Sequence, residues 1–208
     1  MLKKAKILLL TISLTTCLGL MSSTYSRYVA SAQSDIEAQF SKWQILVDSI
    51  DVTSNSQSSI NISPIIEENE FIASNTIAPS STGYFDIIID PTNVDVSFNY
   101  NIALNVLNEN IPDLLISKYA ILPDNYIEGD SLVFTPIVDS NISNSLLFNK
   151  NEAGYTFDPF TIRIYFEWFE GTNEIMNDED DANIGTLAVN ENTVLEMNAD
   201  ITFEQIIE

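Results

Sequence analysis

The sequence predicts an all-β, antiparallel sandwich preceded by an N-terminal signal helix, and three observations carry that expectation. Val94, Val96, Phe98, Tyr100, Ile102 and Leu104 alternate with Asp95, Ser97, Asn99, Asn101 and Ala103. A period of two held over this length puts one face in a core and the other in water. The C-terminus repeats the pattern, with Leu195, Met197, Ala199, Ile201 and Phe203 alternating with Glu196, Asn198, Asp200, Thr202 and Glu204. Helical periodicity is scarce beyond the first residues, so strands must supply the core.

The elements follow in order. Lys3, Lys4 and Lys6 precede an apolar run from Ile7 to about Met21, and small residues follow at Ala30-Ser31-Ala32. A basic start, a short apolar stretch and an A-x-A site form a secretory export signal over 1–32, with cleavage expected around Ala30 or Ala32. The apolar run is shorter than the ~20 residues needed to cross a bilayer comfortably. An uncut N-terminus would leave the domain tethered to the membrane. Residues 33–208 then form a single sandwich domain. Strands are expected at 36–40, 43–47, 59–62, 84–89, 115–122, 131–138 and 186–189, besides the long runs from Val94 and Leu195. Asp90-Pro91-Thr92-Asn93 reads as a hairpin turn. Residues 160–169 carry Ile162, Ile164, Phe166 and Trp168 on one face, and Arg163, Tyr165, Glu167 and Phe169 on the other. That pattern predicts a central strand partly covered on both sides. The stretch 105–113 fits either a short helix or a loop.

Composition narrows the function. The chain carries 8 basic and 30 acidic residues, a formal net charge of −22. Beyond residue 32 only Lys42, Lys118, Lys150 and Arg163 remain against the 30 acids, a formal net charge of −26. Such a surface repels nucleic acid and attracts cations, so no nucleic-acid partner is expected. The hydrophobic fraction of 45% argues against disorder. Cys17 is the only cysteine and lies inside the signal, so the exported domain has neither disulfide nor thiol chemistry.

There is no histidine. Histidine-dependent triads, the H-E-x-x-H metalloprotease motif and His-ligated zinc are excluded. Without a glycine-rich phosphate loop either, no catalytic residue is assigned and no enzyme activity is expected. The densest acidic cluster is Asn177-Asp178-Glu179-Asp180-Asp181. It reads as a solvated turn between strands, with weak calcium binding through Asp178, Asp180 and Asp181 as the alternative. The cluster lacks the central glycine and closing glutamate of an EF-hand. Most aromatic residues occupy strand-core positions; Tyr165 or Phe169, if exposed, would instead suggest a carbohydrate platform.

Several short motifs resemble one family. Thr24-Tyr25-Ser26-Arg27-Tyr28 is similar to the T-[WY]-x-x-[FY] stretch at the processing site of proteins cut by a SipW-type signal peptidase. Ala38-Gln39-Phe40-Ser41-Lys42-Trp43-Gln44-Ile45 resembles a first mature strand of that group. Ile77-Ala78-Pro79-Ser80-Ser81-Thr82-Gly83-Tyr84-Phe85-Asp86-Ile87 resembles its aPGxxGxfxi strand opening, with Ser80 where the pattern has glycine. Residues 93–102 and the closing Ala199-Asp200-Ile201-Thr202-Phe203-Glu204-Gln205 are similar to its long and final strands. The family is that of TasA and camelysin, surface and biofilm-matrix proteins of Gram-positive bacteria.

The resemblance implies a jelly-roll or immunoglobulin-like sandwich that self-associates into extracellular fibres by donating an N-terminal strand. The camelysin label of metalloprotease does not carry over, because no histidine ligand exists. Ile36, Ala38 and Phe40 alternate with Asp35, Glu37 and Gln39 just past the cleavage region, and make the candidate donor strand. An ordinary first strand would read the same. A second reading is a monomeric exported or tethered module that binds a cation or a cell-wall glycan.

Overall fold

The computed structural model describes residues 2–25, 39–53, 57–106, 113–171, 178–190 and 194–207. The chain divides into two units, Met1–Phe40 and Ser41–Glu208. In the first, α1 (Leu2–Tyr25) is a continuous helix. Its apolar side chains, Ile7, Leu8, Leu9, Leu10, Ile12, Leu14 and Leu18, are all exposed. No helix among the described residues is long and apolar enough to cross a membrane.

The second unit is an antiparallel β-sandwich. One sheet runs β2 (Ile50–Asp51), β1 (Trp43–Val47), β5 (Thr82–Val94), β10 (Phe160–Trp168), β7 (Leu114–Leu122), β8 (Thr135–Pro136), with β4 (Ile65–Ile66) also paired to β5. The other runs β3 (Gln57–Ile62), β11 (Met197–Gln205), β6 (Phe98–Val106), β9 (Asn141–Leu146). The inward residues of both sheets make one apolar cluster. Ile87 and Ile89 of β5 and Ile162, Ile164 and Phe166 of β10 meet Phe98, Tyr100 and Ile102 of β6 and Met197, Ala199 and Ile201 of β11. Each of these large apolar side chains stabilises the fold by about 1.5–3 kcal/mol through burial.

The expected strands at 43–47, 115–122 and 160–169 are present as β1, β7 and β10 within a residue or two. β10 lies between β5 and β7, the central place its two-sided pattern predicts. The first long alternating run is divided differently. Asp90-Pro91-Thr92-Asn93 is not a hairpin turn: β5 passes straight through it to Val94. Proline lacks an N–H, but here none is needed. β10 pairs with β5 only up to Ile89, and β1 pairs across a bulge that skips Ile45, opposite Pro91 and Thr92. The Asp90 side chain accepts from the Thr92 N–H at 3.0 Å, so the turn chemistry builds an irregularity instead of a reversal. The chain changes sheets at 95–97, where Asp95 accepts from the Lys42 N–H and Ser97 accepts from those of Phe148 and Ile206.

Two further expectations fail, and one strand was not expected. The strand at 186–189 is part of a helix, α2 (Asp178–Asn190). Four acids fill its first turn, where the positive end of the helix dipole favours them. Of 131–138, only β8 and an isolated bridge at Val138 are strand. β9, rich in asparagine and serine, had no apolar alternation to announce it. Residues 107–112, most of the stretch left between helix and loop, lie outside the described residues; Asn105 and Val106 end β6.

Candidate functional site

Two places in the sandwich gather chemically distinctive side chains. The first is the outer face of the β5–β10–β7 sheet. Register puts Arg163 opposite Asp86, and Tyr165 opposite Tyr84 on one side and Lys118 on the other. Arg163 is only 6% exposed. Its Nε and Nη2 donate to Asp86 at 2.8 and 3.0 Å, and Nη1 donates to Glu128 at 2.7 Å. The guanidinium lies 3.9 Å from the Tyr84 ring centre and 5.2 Å from that of Tyr126. The Asp86 hydrogen bonds in particular raise its already high pKa further, so the charge is permanent.

Tyr126 and Glu128 reach this face from the loop after β7. Its two tight turns close through the Tyr126 N–H to Pro123 O and the Asp130 N–H to Ile127 O, and Gly129 takes a φ of 101°. Between loop and sheet lies a cleft of about 500 Å³ whose walls include Lys118, Tyr126, Glu128, Phe134, Tyr165 and Glu167. Lys118 Nζ sits 4.4 Å from the Phe134 ring centre and 5.5 Å from that of Tyr165. Burial pushes the Tyr165 hydroxyl up. Of the four basic residues beyond residue 32, two therefore stand on one sheet face. Their scarcity was a sequence signal that periodicity alone did not use.

The second place is the end of the sandwich covered by α2. An apolar groove of about 630 Å³ runs between β4, the turn before β5, and α2, lined by Ile65, Ile66, Ile77, Trp168, Ile184 and Leu195. β4 is two residues long and pairs only with β5 among the described residues. Its seat depends on Gly83: a Cβ there would stand 2.4 Å from Phe166 Cζ and 2.6 Å from the Ile65 carbonyl oxygen.

The turn beside the groove is Ala78-Pro79-Ser80-Ser81. The Ser81 N–H donates to Ala78 O at 2.9 Å and Ser80 takes a φ of 73°, a type II turn with proline at its second position. Ser80 thus holds the left-handed conformation for which glycine is the ordinary residue. The turn is tied to β10 by the Ser80 N–H to Trp168 O and the Trp168 N–H to Ser81 O.

Asp181, on the groove wall, accepts from the Trp168 indole N–H at 3.1 Å. Burial, and then the nearby Asp113 charge, hold its carboxyl above the usual range. Asp178, Asp180 and Asp181 do not form the expected turn between strands. All three are in the first turn of α2, where steps of about 100° per residue point Asp178 and Asp180 to different sides. No group of three or more His, Cys, Asp or Glu side chains suited to a metal gathers among the described residues. Ile36, Ala38, Ala30 and Ala32 lie outside the described residues. Phe40 is described and 98% exposed. Phe169, like Tyr165, is half-buried, so neither stands out as an open aromatic platform.

No protein-family model matches the sequence, and no curated protein matches it. The functional reading rests on the residues themselves.

Proposed function

We propose that the chain is an exported, non-enzymatic structural protein of the TasA and camelysin type, a jelly-roll-like sandwich that assembles into extracellular fibres by strand donation. The observation that carries this reading is the groove beside β4. It combines apolar pockets with a short strand whose outer edge has no strand partner among the described residues, the two things an incoming extended segment uses. Supporting it, the aPGxxGxfxi resemblance has a physical basis here: Ser80 occupies the left-handed position and Gly83 the close approach. In this reading α1 is the export leader and a SipW-type peptidase removes it. Cleavage frees the segment containing Ile36, Ala38 and Phe40, which donates to the next subunit. The net charge of −26 opposes contact between copies, so acid or divalent cations promote assembly.

The test is electron microscopy of protein beginning at residue 33, at pH 5 and pH 8, with and without calcium. Fibres are expected in acid or calcium, and none from an Ile36→Asp, Phe40→Asp variant that melts like the native protein. Globular monomers under every condition, or fibres undiminished in the variant, would sink the proposal. The cleft around Lys118, Tyr126 and Tyr165 favours the second reading, a binding module for a cell-wall glycan. Saturable binding of glycan fragments, lost in Tyr165→Ala, would establish it.

A further inference from the structure

Asp113 is completely buried, and among the described residues neither of its carboxylate oxygens has a hydrogen-bond partner. Its backbone is firmly held: its carbonyl accepts from the Phe169 N–H at 3.0 Å, and the next residue, Leu114, pairs with Trp168. The indole N–H of that same Trp168 donates to Asp181. Asp113 therefore stands where β7 begins and β10 ends, next to the Leu114–Trp168 pair, and the Trp168 indole links this place to Asp181 in the first turn of α2. A buried carboxylate without partners costs far more than a marginally stable fold tolerates, so something must compensate it. No basic side chain pairs with it among the described residues. Both ion pairs of the described residues belong to Arg163, on the outer face of the sheet.

We propose that Asp113 and Asp181 bind a calcium ion, which pins the first turn of α2 to the ends of β7 and β10. Two carboxylates balance one divalent cation charge for charge. The ligand atoms are all oxygen, with no imidazole or thiolate in the domain, which selects a hard cation. Calcium completes its six to eight positions with carbonyls and water in irregular geometry, whereas magnesium demands a near-ideal octahedron. With no third acidic side chain gathered at the pair among the described residues, affinity belongs to the weak class of extracellular modules, a Kd of about 10⁻⁴–10⁻³ M. The site uses one of the three aspartates expected from the sequence, Asp181, and exchanges the others for a residue 65 positions or more away in the chain. It stands whether or not subunits assemble into fibres.

The experiment is thermal melting of the domain beginning at residue 33, in EGTA and then across a calcium titration at constant ionic strength, with magnesium as comparison. Calcium a hundredfold above Kd should raise Tm by about 5–10 °C, and magnesium by much less. Asp113→Asn should abolish the rise while melting at or above the native protein in EGTA, because the amide removes the buried charge. Asp181→Asn should weaken calcium binding at least tenfold by calorimetry, and serves alone if Asp113→Asn does not fold. Asp124→Asn, on an exposed loop, should retain the full rise. Absence of a calcium-dependent rise overturns the proposal. So does a rise that survives both Asp113→Asn and Asp181→Asn, which would place the ion elsewhere on the acidic surface. Stabilisation by acid with no response to calcium would overturn it too, in favour of a shared proton.

Discussion

Replacing Gly83 with alanine tests whether the groove edge is built as described. The added methyl would meet the Phe166 ring at 2.4 Å and the Ile65 carbonyl oxygen at 2.6 Å. Real Cβ atoms do not approach this closely, so something must shift. Phe166 is buried among β10 neighbours and cannot swing away freely, and the carbonyl belongs to β4 itself. Overpacking of this kind costs about 1–3 kcal/mol. Loss of the two β4–β5 pairs, Ile65 with Tyr84 and Ile66 with Gly83, comes in addition. With a urea m-value of about 2 kcal/mol/M, the unfolding midpoint should fall by about 0.5–1.5 M. Urea unfolding followed by tryptophan fluorescence reads this directly, since Trp168 lines the same groove. Adding Phe166→Leu should recover part of the loss but not all, because the carbonyl contact remains. A Gly83→Ala midpoint within about 0.2 M of native would refute the close approach and the seating of β4.

Three other outcomes follow from the same geometry. Ser80→Gly should stabilise the domain by about 0.5 kcal/mol, the relief at a φ of 73° less the extra chain entropy of glycine, seen as a small rise in urea midpoint. Arg163→Ala should cost about 2–3 kcal/mol and lower Tm by about 5–10 °C, since it leaves the partly buried Asp86 unpaired and removes a guanidinium stacked on Tyr84; Arg163→Lys should recover little, lacking the fork that holds Asp86. The Glu128 carboxyl is held below the usual glutamate range, first by its hydrogen bond from Arg163. Its contribution is therefore present at neutral pH and lost as pH falls through that lowered value. Native and Glu128→Gln midpoints should differ at pH 7 and converge in acid; a constant gap would contradict the assignment.

Much of the sandwich was legible because half-buried strands write a period of two into the sequence. β6, β10, β11 and most of β5 bury every second residue, a pattern that a helix does not produce. Where packing does not impose alternation, the reading failed. α2 buries Ile184 alone, so its apolar residues form no stripe. Its clearest signal was electrostatic: four acids in a first turn suit the helix dipole as well as they suit a solvated loop. Asp90-Pro91 misled because a turn signal marks a local backbone preference, while the choice between reversal and bulge depends on how far the neighbouring strand reaches. Nothing distinguished Asp113 from the other acids in sequence, since burial comes from strands far apart in the chain. The scarcity of basic residues, four beyond residue 32, could have singled out Arg163, but periodicity did not use it.

β11, the last of the described strands, is not at an edge but between β3 and β6. Thr202 pairs with Gln57 on one side and Asn101 on the other. In a chain delivered from its N-terminus, as in synthesis, β3 waits for β11, its one strand partner among the described residues. Closing that loop carries the entropy of nearly the whole domain, so the sheet completes late and all at once. With this order of strands the four-stranded sheet stays open until Met197–Gln205 are in place, whatever the larger sheet has already formed.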